Sequence, residues 1–134
     1  MLDKDQIDEW DEYWSETSKS CPTPLEMTKH YQKVTGQNPD PVLYVGLVSE
    51  EFDEWVNSLE EPDRASELKE LADLVYVIYG YANAQGWDLD EALYRVHSSN
   101  MGRMRQDDGN IKYREDGKII KNPNAPKCDL SDLV

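Results

Sequence analysis

The side chains best equipped for chemistry in this sequence are carboxylates that recur at helical spacing. In Glu50-Glu51-Phe52-Asp53-Glu54, Glu51 and Glu54 stand at i, i+3 and Glu50 and Glu54 at i, i+4; Glu70-Leu71-Ala72-Asp73 repeats the i, i+3 spacing. On a helix, either spacing sets two carboxylates side by side on one face. Two neighbouring helices carrying such pairs would present at least four carboxylates to one another. Drawn out of water, like charges push each other's pKa up, and an unpaired buried charge is strongly unfavourable. A hard divalent cation resolves both problems, because Mg²⁺ and Mn²⁺ prefer oxygen ligands. The competing reading is a solvated acidic surface, with Arg64, Lys69 and Arg95 as salt-bridge partners. Glu70 and Asp73 lie on an apolar background and fit that reading less well than the Glu50 cluster does.

The elements that must position these groups follow from periodicity and punctuation. Residues 3–18 are polar with Ile7, Trp10, Tyr13 and Trp14 at helical spacing, which predicts an acidic amphipathic helix. Cys21-Pro22-Thr23-Pro24 breaks it, and a second helix is expected over 25–35, ended by Gly36. A third is expected over 41–59 with Pro41 in its first turn, a fourth over 65–85 before Gly86, and a fifth from the N-cap Asp88 to about Met104. Beyond 105 the chain reads as an extended tail, with a small hairpin at Glu115-Asp116-Gly117-Lys118. The expected fold class is all-α. Domain organisation is expected to be an acidic helical extension over 1–20 and one domain over 21–134.

Two wheels refine the picture. On the third helix Val45, Val48, Phe52, Trp55 and Leu59 make one stripe expected to face the core, with Glu51 roughly 70°, Glu54 roughly 130° and Glu50 roughly 170° from its centre. Glu51 and Glu54 are therefore the better direct ligands. The fourth helix carries two stripes, Leu68/Leu71/Val75/Ile78/Ala82 and Leu74/Val77/Tyr81/Ala84, with Glu70 and Asp73 on the second side. A helix apolar on both sides is buried between partners, which for 134 residues points to a second subunit. The carboxylates are not a di-iron set: that site wants Glu-x-x-His, and Met27 and Tyr94 precede His30 and His97 by three residues. An all-oxygen magnesium site acting on a phosphate ester or anhydride is the natural alternative.

Composition narrows the partners. Against 14 basic residues stand 28 acidic ones, a formal net charge of -14, so long nucleic acid is excluded as a ligand on charge grounds. Cys21 and Cys128 match no metal-ligand spacing and read as free thiols of a cytoplasmic protein. An acidic N-terminus without an apolar segment, and no run near the ~20 apolar residues of a membrane span, set the expectation of a soluble intracellular chain.

Four segments in order carry a family resemblance. The Glu50–Glu54 and Glu70–Asp73 clusters resemble the E-E-x-x-E…E-x-x-D signature of MazG-like all-α nucleoside triphosphate pyrophosphohydrolases, a superfamily that includes phosphoribosyl-ATP pyrophosphohydrolase. Glu91-Ala92-Leu93-Tyr94-Arg95-Val96-His97-Ser98-Ser99-Asn100-Met101 resembles the E-A-x-x-x-V-H-x-S-N-M segment of single-domain members, and Asp116-Gly117-Lys118-Ile119-Ile120-Lys121-Asn122-Pro123-Asn124 their D-G-K-x-x-K-x-P-N tail. The resemblance implies Glu51, Glu54, Glu70 and Asp73 as Mg²⁺ ligands, Mn²⁺ substituting, with Glu50 a further ligand or a group that positions or deprotonates water. It further implies Asn100, Lys118 and Lys121 near the phosphates or sugar. Gly102-Arg103 replaces the family's Ser-Lys, so Arg103 takes the place of a lysine there. Tyr76, one turn past Asp73, and His30 and Tyr31 are candidate base-pocket groups. Trp55, Tyr79 and Trp87 could stack on a base but are read as packing residues, and His97 as a packed or capping histidine.

The implied reaction is hydrolysis at the α-phosphorus of a (deoxy)nucleoside triphosphate, guanine slightly ahead, giving monophosphate and pyrophosphate. The implied assembly is a helical bundle completed in a homodimer or homotetramer. Two other readings stand beside it: phosphoribosyl-ATP as substrate, and a non-catalytic nucleotide-binding regulator. The complete carboxylate pairs argue against the last of these.

Overall fold

The computed structural model describes residues 22–134. The expected first helix and Cys21 lie outside these residues. Among the described residues the regular structure is helical: α1 (Pro24–Val34), α2 (Pro41–Ser58), α3 (Arg64–Gln85), α4 (Leu89–Arg103) and a closing 3-10 turn, Ser131–Leu133. None of these helices is long and apolar enough to cross a membrane.

Each helix starts where a short polar side chain meets orphan N–H groups. Thr23 Oγ1 accepts from Glu26 N at 3.2 Å, Asp40 Oδ1 from Val42 N at 2.9 Å, Asp63 Oδ1 from Ala65 N at 3.0 Å, and Asp88 Oδ1 from Glu91 N at 3.0 Å. Pro24 and Pro41 open α1 and α2, where a missing N–H costs nothing. α3 ends on Gly86 in the left-handed region at φ 77°, while Trp87 N donates back to Ala82 O at 2.9 Å and closes the last turn. The five-residue connection 59–63 folds α2 back along α3 as a helical hairpin, the main packing of the molecule. α1 lies against α3, and α4 touches α1 and α3 more lightly.

The hairpin is held by an unusually polar interior. Tyr44, Tyr79 and Ala82 are the buried apolar residues, joined by buried Thr28, Gln32 and Ser58. Tyr44 packs where Gly80 has no side chain. A Cβ at Gly80 would lie 2.8 Å from Cδ1 and Cζ of that ring and closer still to Cε1. A glycine inside a helix is unfavourable by about 1 kcal/mol against alanine, and here the close approach of the ring explains it.

Within the single chain, packing does not cover the wheel's apolar stripes. Val45, Phe52 and Leu59 of α2 are exposed, as are Leu68, Leu71, Val75 and Ile78 of α3. The inward face of α2 is instead Tyr44 and Ser58, with Leu47, Glu51 and Trp55 half-buried between them. α3 turns its second stripe inward: Leu74, Val77, Tyr81 and Ala84 are half-buried on the side of Glu70 and Asp73. Within one chain each helix satisfies one face, and the Tyr44–Gly80 fit selects which. Most of the apolar stripes is left outside, Ala82 of α3 being buried and Val48 and Trp55 of α2 half-buried.

The tail contains the expected hairpin as a single antiparallel bridge, Tyr113 with Ile119. Arg114 N donates to Lys118 O at 2.7 Å and Ile120 N to Lys112 O at 2.9 Å. Asn122, buried, ties the tail to α4 through its N–H to Arg103 O at 2.8 Å.

Candidate metal and nucleotide site

Because Glu51 is on the inward face of α2 and Glu70 and Asp73 on the inward face of α3, the hairpin brings the three together. One oxygen from each lies within 4.8 Å of the others. All three residues are half-buried, and Glu51 Oε2 and Glu70 Oε2 are sealed from solvent without a hydrogen-bond partner among the described residues. Such atoms are rare, because an unsatisfied buried acceptor loses its hydration for nothing. Burial first, and then the charges of Glu54, Asp73 and Glu70, push the Glu51 carboxyl above its ordinary value; a hydrogen bond with Glu54 adds to this. Oxygen-only donors, orphaned acceptors and mutual repulsion are what a hard divalent cation would relieve, so the residues fit the group the sequence implies.

Glu54 is exposed at the edge of this cluster and reaches Glu51. Glu50 is exposed and lies outside the three-residue cluster. Lys69 Nζ sits 2.6 Å from Asp73 Oδ2 and 3.4 Å from Glu70 Oε1, the salt bridge that competes with a cation. Both carboxylates hold the ammonium charged, the hydrogen bond to Asp73 foremost, and its pKa is raised.

The cluster opens into a cleft of about 470 Å³ lined by Glu51 and Asp73 at one part and by Tyr31, Gln32, Tyr44 and Tyr76 at another. Tyr31 and Tyr76 meet edge to face, ring centres 5.7 Å apart at 82°. Burial is the main reason the Tyr76 hydroxyl is pushed up to about 12, so it is a neutral donor in ordinary conditions. Gln32 Nε2 donates to Tyr44 Oη at 2.9 Å and to Gly80 O at 3.3 Å, and Tyr44 Oη donates to Gln37 Oε1 at 2.6 Å. With its nitrogen spent, Gln32 keeps its oxygen as the amide's remaining acceptor.

The other sequence candidates are elsewhere. Asn100 is exposed near the end of α4, and Arg103 Nε is buried without a partner among the described residues. Lys118 and Lys121 line a separate shallow cleft of about 290 Å³ with Arg114, Ile119 and Ile120. None of these four lines the cleft beside the carboxylates. Trp55 packs on Phe52 and Trp87 on Tyr81, each pair 6.0 Å apart, while Tyr79 is buried; His97 is exposed rather than packed. Gln32, Gln37 and Tyr44 escaped the sequence reading. The signal that was available is Gly80, a glycine within a strongly helical run, which marks a close approach by a neighbour.

No curated protein matches the chain. The family model for phosphoribosyl-ATP pyrophosphohydrolase matches residues 22–100, more than half of the chain and all of the acidic cluster, and leaves the tail from 101 onward outside. The matching family lies within the all-α pyrophosphohydrolase superfamily that the motifs indicated. The chain belongs to the phosphoribosyl-ATP pyrophosphohydrolase family.

Proposed function

We propose that the protein cleaves the α,β-phosphoanhydride of a nucleotide 5′-triphosphate, releasing pyrophosphate and leaving the monophosphate. The observation that carries this is the convergence of Glu51, Glu70 and Asp73 within 4.8 Å at the edge of a nucleoside-sized cleft. Glu51, Glu70 and Asp73 would hold Mg²⁺ or Mn²⁺, with Glu54 beside them. Such an ion, when bound, neutralises phosphate charge and makes nearby water more acidic. The chain's own groups do the rest. Tyr31 and Tyr76 offer ring faces and edges to a base, and the Gln32 oxygen offers an acceptor. Burial and the neighbouring carboxylates raise the Glu51 carboxyl, and a cation held there would relieve that repulsion.

Two substrates fit this chemistry. Phosphoribosyl-ATP ranks first, because the matching family is named for it. A free nucleoside triphosphate, guanine among the bases, is the second. Its support is the folded tail beyond the match, whose D-G-K-x-x-K-x-P-N segment resembles single-domain triphosphate-cleaving members and carries Lys118 and Lys121. Product analysis with phosphoribosyl-ATP and the eight common NTPs and dNTPs, with Mg²⁺ and with EDTA, separates the two. Pyrophosphate from phosphoribosyl-ATP alone gives the first, and pyrophosphate from one base series the second. No chelator-sensitive pyrophosphate from any of them overturns the proposal.

The exposed stripes Val45/Phe52/Leu59 and Leu68/Val75/Ile78 support a homodimer or a dimer of dimers, each chain covering the other's apolar faces. Sedimentation of the full chain tests it, and a monomer at high concentration would end it.

A further inference from the structure

Lys69 has no part in the chemistry described so far. Its ammonium is 2.6 Å from Asp73 Oδ2 and 3.4 Å from Glu70 Oε1, and among the described residues no other cation pairs with Glu51, Glu70 or Asp73. Yet the lysine does not belong to the interior. Its side chain is 65% exposed against 17% for Glu70, so the ammonium reaches the cluster from the solvent side on a flexible stem. Nor does it complete the cluster, since Glu51 Oε2 and Glu70 Oε2 remain sealed and without a partner among the described residues.

We propose that Lys69 is a placeholder cation, pairing with Asp73 and Glu70 while no divalent ion is bound and giving up that pairing when one enters. This rests on reading the cluster as a cation site. The physical argument is one of mutual exclusion. A hard divalent ion draws its carboxylate ligands to about 2.0–2.6 Å. An ammonium hydrogen-bonded to the same carboxylates would then face a double positive charge at close range. The divalent ion wins the exchange because it can also reach the two sealed oxygens, which Lys69 leaves alone. Leaving is cheap for the lysine, because an exposed i, i+4 ion pair contributes little net stability. The swap spares the empty site part of its four-carboxylate repulsion. It also leaves a released ammonium at the rim when the cation is in place, where a polyphosphate is the complementary charge. Nucleotide binding would thus be opposed by the empty cluster and favoured by the loaded one.

The test follows the lysine itself. The full chain, with its lysines reductively ¹³C-dimethylated, is titrated with Mg²⁺, and Lys69→Arg identifies the Lys69 methyl signal by its disappearance. Cation occupancy is followed independently by Mn²⁺ spin resonance and its competition by Mg²⁺. The expected result is a saturable shift of the Lys69 signal toward the position of the solvated lysines, with the midpoint of cation binding. A Lys69 signal that stays in place while the cation saturates overturns the placeholder role and leaves the metal site standing. Failure of any divalent ion to bind overturns the cation site itself, and this inference with it.

Discussion

The junction of α2 and α3 and the tail after α4 use the same residue type to opposite ends. In the tail each acidic side chain that shapes the chain has a donor. Asp107 accepts from Asn122 Nδ2 at 2.9 Å and Asn124 Nδ2 at 2.7 Å, Asp108 from Asn110 N, Asp129 from Ser131 N, and Asp116 from Lys118 N besides pairing with Arg114. Asp132 takes both arms of Arg95, at 2.5 and 3.0 Å. Hydrogen bonds hold all five carboxyls below their ordinary values. At the junction the direction reverses: Glu51 is pushed up, and two carboxylate oxygens have no described partner. The tail is mostly loop and electrostatically finished, whereas the junction is regular helix and electrostatically unfinished. On the proposed function, it is unfinished charge rather than irregular backbone that marks the reacting centre.

The comparison can be broken most sharply at Glu51. Glu51→Gln should lower pyrophosphate release by roughly a hundredfold to a thousandfold, the scale for removing one electrostatic contributor at a reacting centre. The same change should raise the melting temperature of the cation-free protein, because it removes a repelled charge. If turnover survives, Glu51 is scaffold like the tail carboxylates. Next in size is Gly80→Ala, which forces a methyl into the Tyr44 ring and should cost about 1–3 kcal/mol in urea unfolding. An unchanged midpoint would mean that the hairpin is not seated on that contact. Asn122→Ala removes part-buried hydrogen bonds to Asp107 and Asn124 and should cost about 1 kcal/mol. Hydrogen exchange should then rise across the tail while α2 and α3 stay protected.

Smallest is the latch of the closing turn. Arg95 lowers the Asp132 carboxyl, so the native state holds its proton less tightly than the unfolded chain does. The latch is therefore fully present above the ordinary aspartate range and is lost as pH falls through the lowered value. Amide signals of Leu133 and Val134 should shift in that acid window, and Arg95→Met should abolish the shift with no measurable change in global unfolding.

Much of the local architecture was legible from single residues. Thr23, Asp40, Asp63 and Asp88 announce helix starts, Gly86 an end, and the described helices lie within a residue or so of the expected bounds. The i, i+3 spacings likewise found the carboxylates that meet. What could not be read was which face turns inward. Val45, Phe52 and Leu59 outrank Tyr44 and Ser58 in hydrophobicity, yet the latter are the buried ones, because a ring-into-glycine fit between residues 36 positions apart is not a periodic signal. The polar wall of the cleft is hidden for the same reason. Gln32, Gln37 and Tyr44 become a network only after α1 is laid against α3.

Tyr44 carries one more consequence. Its hydroxyl helps to form the polar wall of the cleft while its ring sets the spacing of the two helices that hold the carboxylates. Any exchange there that alters what the cleft accepts also alters how well the chain folds. Descendants of this sequence that change their diet would be expected to do so through Tyr31 and Tyr76, whose rings border the cleft without keying into a glycine, and to inherit Tyr44 and Gly80 together or lose them together.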